Sequence, residues 1–261
     1  MSLHVETQGS GSPLLLIHGW GMHGGMWGQV ATQLARNFEV HSVDLPGHGF
    51  SPLPSRTDRN GDDGFLDEIV AQLSERFTAP LAVCGWSLGG QVALRWAQLY
   101  PAQVEKLILV ASTPCFVQQE GWHCAMATDT LQEFAAALLQ NHALTLRRFL
   151  VLQVRGSEQE RELLADLRAQ LFSHGEPDIQ ALQRGLEILR DYDQRASLSQ
   201  ITQPTLLLAG ARDTLTPVAA MQYMAEAMPN ARLQVIAGAA HAPFLSHPKI
   251  FMQHLTSFVN E

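Results

Sequence analysis

Leu81-Ala82-Val83-Cys84-Gly85-Trp86-Ser87-Leu88-Gly89-Gly90 is the stretch that decides the fold of this chain. A short apolar run without alternation reads as a strand buried on both faces. It stops at Gly85, and a helical pattern follows over 89–100. Between the two lies Gly85-Trp86-Ser87-Leu88-Gly89, a G-x-S-x-G sequence at a strand-to-helix turn. Such a turn is tight, and Gly85 and Gly89 remove the side chains that would collide in it. Ser87 is then held out above the strand end, and the helix that follows points its free N–H groups toward the same place, where negative charge is favoured.

The same rhythm extends on both sides. Apolar runs at 13–17, 38–43 and 106–111 each stop at a polar or glycine-containing turn. Helical segments at 26–37 and 64–77 lie between them. Strands alternating with helices predict a mostly parallel sheet covered on both faces, an α/β fold. From 116 to 189 the rhythm breaks: no convincing strand occurs, and Leu131, Phe134, Leu138 and Leu139, then Leu163, Leu164, Leu167 and Leu171, recur at helical spacing. The alternation returns with a strand at 204–209, a helix at 217–228, a strand at 232–236 and a helix at 249–260. The organisation expected is an α/β core of 1–115 and 190–261 interrupted by an all-helical lid insertion, 116–189, as one catalytic unit. The stretch 57–64, rich in Asp, Gly and Arg, is expected to be a mobile surface loop.

Composition narrows the function. The 261 residues are 46% hydrophobic and 16% charged, enough apolar material for a large core. Formal net charge is −8, which removes the global positive field that nucleic acid would need. No run of about 18 apolar residues is present, so no membrane span is expected. The three cysteines, Cys84, Cys115 and Cys124, show no CxxC pairing and no zinc spacing with histidine. Cys84 reads as a small buried hydrophobe. With no basic n-region or apolar h-region at the N-terminus, a reduced, cytoplasmic protein is expected.

Serine alone is a weak nucleophile, so Ser87 needs a base and a group to orient it. In this architecture the expected chain order is serine, acid, histidine. Asp213 follows the 204–209 strand and His241 follows the 232–236 strand, so both fall at the sheet edge where sites assemble. Asp191 and Asp193 compete for the acid role but read better as solvated charges at the end of the insertion. An oxyanion hole needs two backbone donors. Leu88, after the nucleophile, supplies one; Trp20, in His18-Gly19-Trp20-Gly21 after an early strand, supplies the other. Asp44-Leu-Pro-Gly-His-Gly-Phe-Ser51 reads as a compact structural turn. The rival readings are a general carboxylesterase for small free esters and a ligand-binding receptor on the same scaffold. An Asp nucleophile is disfavoured because Ser87 holds that place.

Taken in order, H-G-W-G, D-x-P-G-x-G-x-S, G-W-S-L-G-G, G-x-x-D and H-A-P-F resemble the α/β-hydrolase superfamily over the whole chain. Val110-Ala-Ser-Thr-Pro-Cys-Phe116, Arg148-Phe-Leu-Val-Leu-Gln153, Gly185-Leu-Glu-Ile-Leu189 and Ala239-Ala-His-Ala-Pro-Phe244 are similar to its branch of methyl ester esterases acting in biotin synthesis. That resemblance implies a substrate, the methyl ester of a pimeloyl group on acyl carrier protein, with small esters as side substrates. It implies Ser87 as nucleophile, Asp213 and His241 as acid and base, and no cofactor or metal. It implies a substrate channel formed by Trp20, Ser87, Leu88, His241 and the run Phe149, Leu150, Val151, Leu152 and Gln153. It also implies docking arginines in the helical segment. Arg148 and Arg161 match such positions, Leu144 and Ala165 stand where two others fall, and Arg155 and Arg168 are the substitutes. Arg147, Arg148, Arg155, Arg161 and Arg168 all lie between 147 and 168, interleaved with Glu158, Glu160, Glu162 and Asp166 that could neutralise them. A monomer is expected.

Overall fold

The structure, a computed structural model, describes residues 3–54 and 64–261. All but residue 64 of the predicted surface loop at 57–64 lies outside the described residues. In chain order the elements of the first half are β1 (Val5–Gln8), β2 (Ser12–Ile17), α1 (Gly28–Leu34), β3 (Phe38–Val43), α2 (Phe65–Arg76), β4 (Leu81–Trp86), α3 (Leu88–Leu99) and β5 (Val104–Val110). Then come α4 (Thr128–Gln140), α5 (His142–Val154), α6 (Glu160–Gln170) and α7 (Ile179–Asp191). The chain closes with β6 (Thr205–Gly210), α8 (Val218–Ala227), β7 (Ala231–Ile236), the short α9 (Pro243–Ser246) and α10 (Pro248–Val259).

The strands form one seven-stranded sheet in the order β1-β3-β2-β4-β5-β6-β7. Six strands run parallel, and β1 joins β3 antiparallel at the edge. β4 is buried along its whole length, the property its unbroken apolar run predicts. From β2 the chain builds outward to β3 on one side, then returns to β4 on the other, so the order reverses between β2 and β4. There Ile17 pairs with Gly85, which sets the turns after both strands side by side at the carboxyl edge, where α/β sheets bind ligands.

Three details depart from the sequence reading. β1 was not legible, because Val5-Glu6-Thr7-Gln8 is a short, half-exposed edge with no apolar alternation. The helix expected at 26–37 is a 3₁₀ turn, Gly24–Trp27, followed by α1, with Gly28 at φ +43° turning the chain between them. The inserted segment is helical only from Thr128; before it the chain loops back on itself with isolated bridges Val117 to Met126 and Gln119 to Trp122.

The turns after β2 and β3 are fixed by buried polar groups. His18 Nε2 accepts from the Leu45 N–H at 2.9 Å and Nδ1 donates to the Gly19 carbonyl at 2.8 Å. Asp44 accepts from Gly24 N–H at 2.6 Å and Phe50 N–H at 2.9 Å, and Ser51 Oγ donates back to the Asp44 carbonyl at 2.6 Å. The Asp44–Ser51 motif is therefore structural, as its turn residues predict. Burial opposes ionisation of Asp44, but these amide donors hold its carboxyl below the usual carboxylate range. Cys84 is buried in β4, and burial pushes its thiol far up, so it packs and does not react.

Burial, with the neighbouring imidazole adding to it, pushes His18 down to about 3; burial also pushes His48 down to about 4. Both stay neutral in the folded chain while an unfolded histidine takes a proton near pH 6.5. The unfolded state therefore binds more protons below that pH, and stability present above about pH 6.5 is lost as pH falls toward 4. The unfolding free energy measured by urea should fall steadily from pH 7 to pH 5, at up to about 1.4 kcal/mol per pH unit for each histidine, and the midpoint with it. A midpoint flat across that range would contradict this assignment.

Candidate active site

Ser87 occupies the residue between β4 and α3 with φ +55° and ψ −117°, a conformation that side chains rarely adopt. Two neighbours explain how it is tolerated. A Cβ on Gly85 would collide with the Gly89 carbonyl, and one on Gly89 would lie 2.5 Å from the Ile17 carbonyl. The turn is thus closed against its own helix and against β2. Its backbone is held by Ser87 N–H to the Val110 carbonyl at 2.9 Å and by Ser112 Oγ donating to the Ser87 carbonyl at 2.9 Å.

His241 and Asp213 meet across the ends of β6 and β7. His241 Nδ1 lies 2.8 Å from Asp213 Oδ2, with both side chains buried. His241 Nε2 is buried with no hydrogen-bond partner, the nitrogen left available for a proton. The His241 carbonyl accepts from Trp86 Nε1 at 2.9 Å, tying the histidine loop to the residue before Ser87. Burial works against charge on Asp213, yet His241, followed by the Thr216 amide and hydroxyl, holds its carboxyl below the usual range. The competing acids are engaged elsewhere: Asp191 pairs with Arg190 at 2.6 Å and Asp193 with Arg195 at 2.6 Å.

The turn bearing Trp20 stands beside the serine, since a Cβ on Gly19 would come within 3.3 Å of Ser87 Cβ. Leu88 N–H opens α3, where no preceding helical carbonyl can take it. The Trp20 ring is fixed by Nε1 donating to the Leu182 carbonyl at 2.9 Å on α7. It also meets Phe149 edge-on at 5.2 Å and Phe134 at 5.3 Å. Gly185 is glycine because a Cβ there would lie 2.7 Å from Trp20 Cδ1, so that motif is explained by close packing of α7 on the indole.

The run 149–153 does not act as one surface, because consecutive helical residues point about 100° apart. Phe149 and Leu152 line an apolar cavity with Trp20, Phe116, Phe134 and Leu186. Leu150 is buried outside that lining, and Val151 faces the other side of α5. Gln153 is buried, and its carbonyl accepts from Ala242 N–H at 3.1 Å, which joins α5 to the histidine loop.

On the outer side of α5, Leu144, Arg147, Arg148 and Val151 share a face at i, i+3, i+4 and i+7. With Arg168 from α6 they line an open pocket. Arg155 and Arg161 are exposed near the helix ends and outside that lining. Among the described residues none of these five arginines forms an ion pair, and Arg147 lies 5.9 Å over the Phe172 ring. The interleaved carboxylates form no ion pair with this stripe among the described residues.

Thr216 escaped the sequence reading. Its hydroxyl donates to Asp213 Oδ2 at 2.7 Å and lies 3.3 Å from His241 Nδ1, while Leu215 and Thr216 N–H bond Asp213 Oδ1 at 2.8 and 3.0 Å. The signal was a hydroxyl residue three positions after an aspartate, the pattern of a side-chain-capped turn. A serine on a strained turn, whose preceding tryptophan holds the loop of a buried, oriented histidine–carboxylate pair, fits nucleophilic acyl transfer.

The chain belongs to the α/β-hydrolase family: the sequence model of the alpha/beta hydrolase fold matches residues 12–248. Within it, the chain is 44% identical to the pimeloyl-[acyl-carrier protein] methyl ester esterase of Nitrosomonas europaea, covering 96% of this chain and 97% of that one. It is also 44% identical to the protein of the same name from Chromobacterium violaceum, over 98% and 97%. Among solved structures, an esterase from Exiguobacterium antarcticum superposes with a TM-score of 0.88 at 25% identity, covering 99% of this chain and 96% of that one. A bromoperoxidase from Bacillus anthracis gives a TM-score of 0.88 at 21% identity, over 99% and 95%, a likeness of fold alone.

Thr216→Val should lower kcat for ester hydrolysis about 3- to 10-fold with little change in KM, the effect of losing about 1 kcal/mol, one ordinary hydrogen bond. With one donor fewer, Asp213 should hold the imidazolium more tightly, so the acid limb of the pH–rate profile should move to higher pH. An unmoved limb would leave Thr216 with a packing role only.

Proposed function

We propose that this protein hydrolyses the methyl ester of pimeloyl-[acyl-carrier protein] to pimeloyl-[acyl-carrier protein] and methanol, in biotin biosynthesis. The observation that carries this is the buried His241–Asp213 pair, tied through the His241 carbonyl to Trp86 next to Ser87, in a chain that matches esterases of that name nearly end to end.

In this reading Ser87 Oγ attacks the methyl ester carbonyl while His241 Nε2 takes its proton. Asp213 keeps the imidazole oriented and stabilises the imidazolium. The tetrahedral oxyanion is held by the N–H groups of Trp20 and Leu88. His241 returns the proton to the departing methoxide, leaving an acyl-serine. Water, deprotonated by the same histidine, then releases the carboxylate. The chemistry needs no cofactor or metal.

The substrate also contains a thioester, and position selects between the two carbonyls. We read 116–189 as a lid on a core of 1–115 and 190–261, forming one catalytic unit. The acidic carrier docks on the arginine face of α5 and α6, and the acyl chain runs past α5 toward the apolar side that carries Phe149 and Leu152. The carrier-proximal thioester is then held away from Ser87. The three unpaired arginines that share one pocket, Arg147, Arg148 and Arg168, support this surface better than Arg155 or Arg161. Every group involved comes from one chain, so a monomer suffices. Among the described residues no helix is long and apolar enough to cross a membrane, and all three cysteines are free, which supports a reducing, cytoplasmic setting.

A general esterase for small free esters is the second reading, favoured by a cavity lined almost wholly by apolar side chains. Ser87→Ala should abolish turnover of both a short aryl ester and the carrier-linked methyl ester, and should fail to support growth without biotin in a strain lacking its own esterase. A receptor on a hydrolase scaffold would survive that change. Reversing Arg148 and Arg168 to Glu should raise KM for the carrier-linked ester at least ten-fold and leave the free ester nearly unchanged. Equal losses on both substrates would argue against carrier docking here.

A further inference from the structure

Away from Ser87 and His241, the structure brings three metal-binding side chains together that the sequence keeps far apart. His23 precedes the 3₁₀ turn Gly24–Trp27, Asp44 follows β3, and His174 follows α6 in the inserted segment. One ligand atom from each lies within 4.8 Å of the other two. His23 and Asp44 are buried, and His174 is half-buried.

The hydrogen bonds specify which atoms are free. His23 Nε2 lies 3.0 Å from the Gln170 carbonyl, which can only accept, so Nε2 carries the proton and Nδ1 the lone pair. That Nδ1 is buried without a partner, and so is His174 Nδ1. A backbone carbonyl on the far nitrogen is the usual arrangement behind a metal-ligating histidine. His174 Nδ1 stands 3.6 Å from Asp44 Oδ2. That is too long for a hydrogen bond. It is close to the separation, about 3.4 Å, of two ligands held at 2.0–2.1 Å by one tetrahedral ion. Asp44 already spends one lone pair on each amide donor, and each oxygen keeps another.

We propose that His23 Nδ1, His174 Nδ1 and Asp44 Oδ2 form a zinc site that fastens the inserted segment to the core. Two imidazoles and one carboxylate select a borderline transition ion over magnesium or calcium, which prefer all-oxygen shells. Solvent completes the fourth position. The two imidazole rings are stacked, with centroids 4.1 Å apart and planes at 27°, so binding turns them apart until both lone pairs converge. His174 is backed by the Phe50 ring at 4.5 Å, which keeps its lateral position during that turn. The ion would join the chain after α6 to the two turns that flank Trp20 and Asp44.

The test uses the full chain stripped with chelator and titrated with Zn²⁺ by calorimetry and with Co²⁺ by visible absorption. One equivalent should bind with micromolar or tighter affinity, Co²⁺ should show the intense visible bands of a four-coordinate site, and Zn²⁺ should raise the thermal midpoint. His174→Ala should weaken binding at least ten-fold and remove the thermal shift. His174→Phe preserves the ring stack if the alanine variant does not fold, and should do the same. His142→Ala, which removes the nearby surface pair of His142 with Glu176 at 3.2 Å, should leave binding intact. Absence of stoichiometric binding, or binding that survives both His174 variants, overturns the proposal.

Discussion

Everything at the catalytic edge depends on one close approach, the packing of Gly89 against the Ile17 carbonyl and of Gly85 against Gly89. That contact forces Ser87 into its positive-φ turn and sets the end of β2 against the start of α3. The strain is held by the sheet around it, through the Val110 carbonyl and the Ser112 hydroxyl. Residues in such conformations persist only where the surroundings over-determine them. Because β2 and β4 are neighbours, the same contact brings the Trp20 turn beside Ser87. A backbone constraint of a few atoms thus sets the serine and the turns carrying its two candidate amide donors together.

The histidine side of the site is built by a different means. His241 and Asp213 sit in loops, so hydrogen bonds rather than regular structure position them. Asp213 receives two amides and a hydroxyl, the His241 carbonyl receives the Trp86 indole, and the next residue's amide bonds the end of α5. This last bond couples the inserted helices to the loop that carries the candidate base. The Trp20 indole does the same on the other side, reaching the Leu182 carbonyl on α7 and packing on Gly185. The insertion is therefore wired to both halves of the site.

α5 divides two chemical environments. Its inner side presents aromatic and aliphatic groups to a cavity, and its outer side presents unpaired guanidinium groups to an open pocket. A net charge of −8 conceals this, since the average over a surface says nothing of a local cluster. One helix with two faces can thus handle an apolar cargo and an acidic carrier.

The α/β rhythm, the strand before Ser87, the helix after it and the order of Ser87, Asp213 and His241 were legible in the sequence, because buried strands and tight turns constrain residue type locally. The chemistry of His18-Gly19 and of Asp44–Ser51 as turns was legible for the same reason. β1 was not, since an exposed edge strand places little demand on its residues. The tertiary structure alone decided which of residues 149–153 face the cavity, which arginines share a pocket, that Thr216 braces Asp213, and that His23, Asp44 and His174 converge. Those relations join segments far apart in the chain, and spacing along a sequence carries no information about distances that only packing fixes.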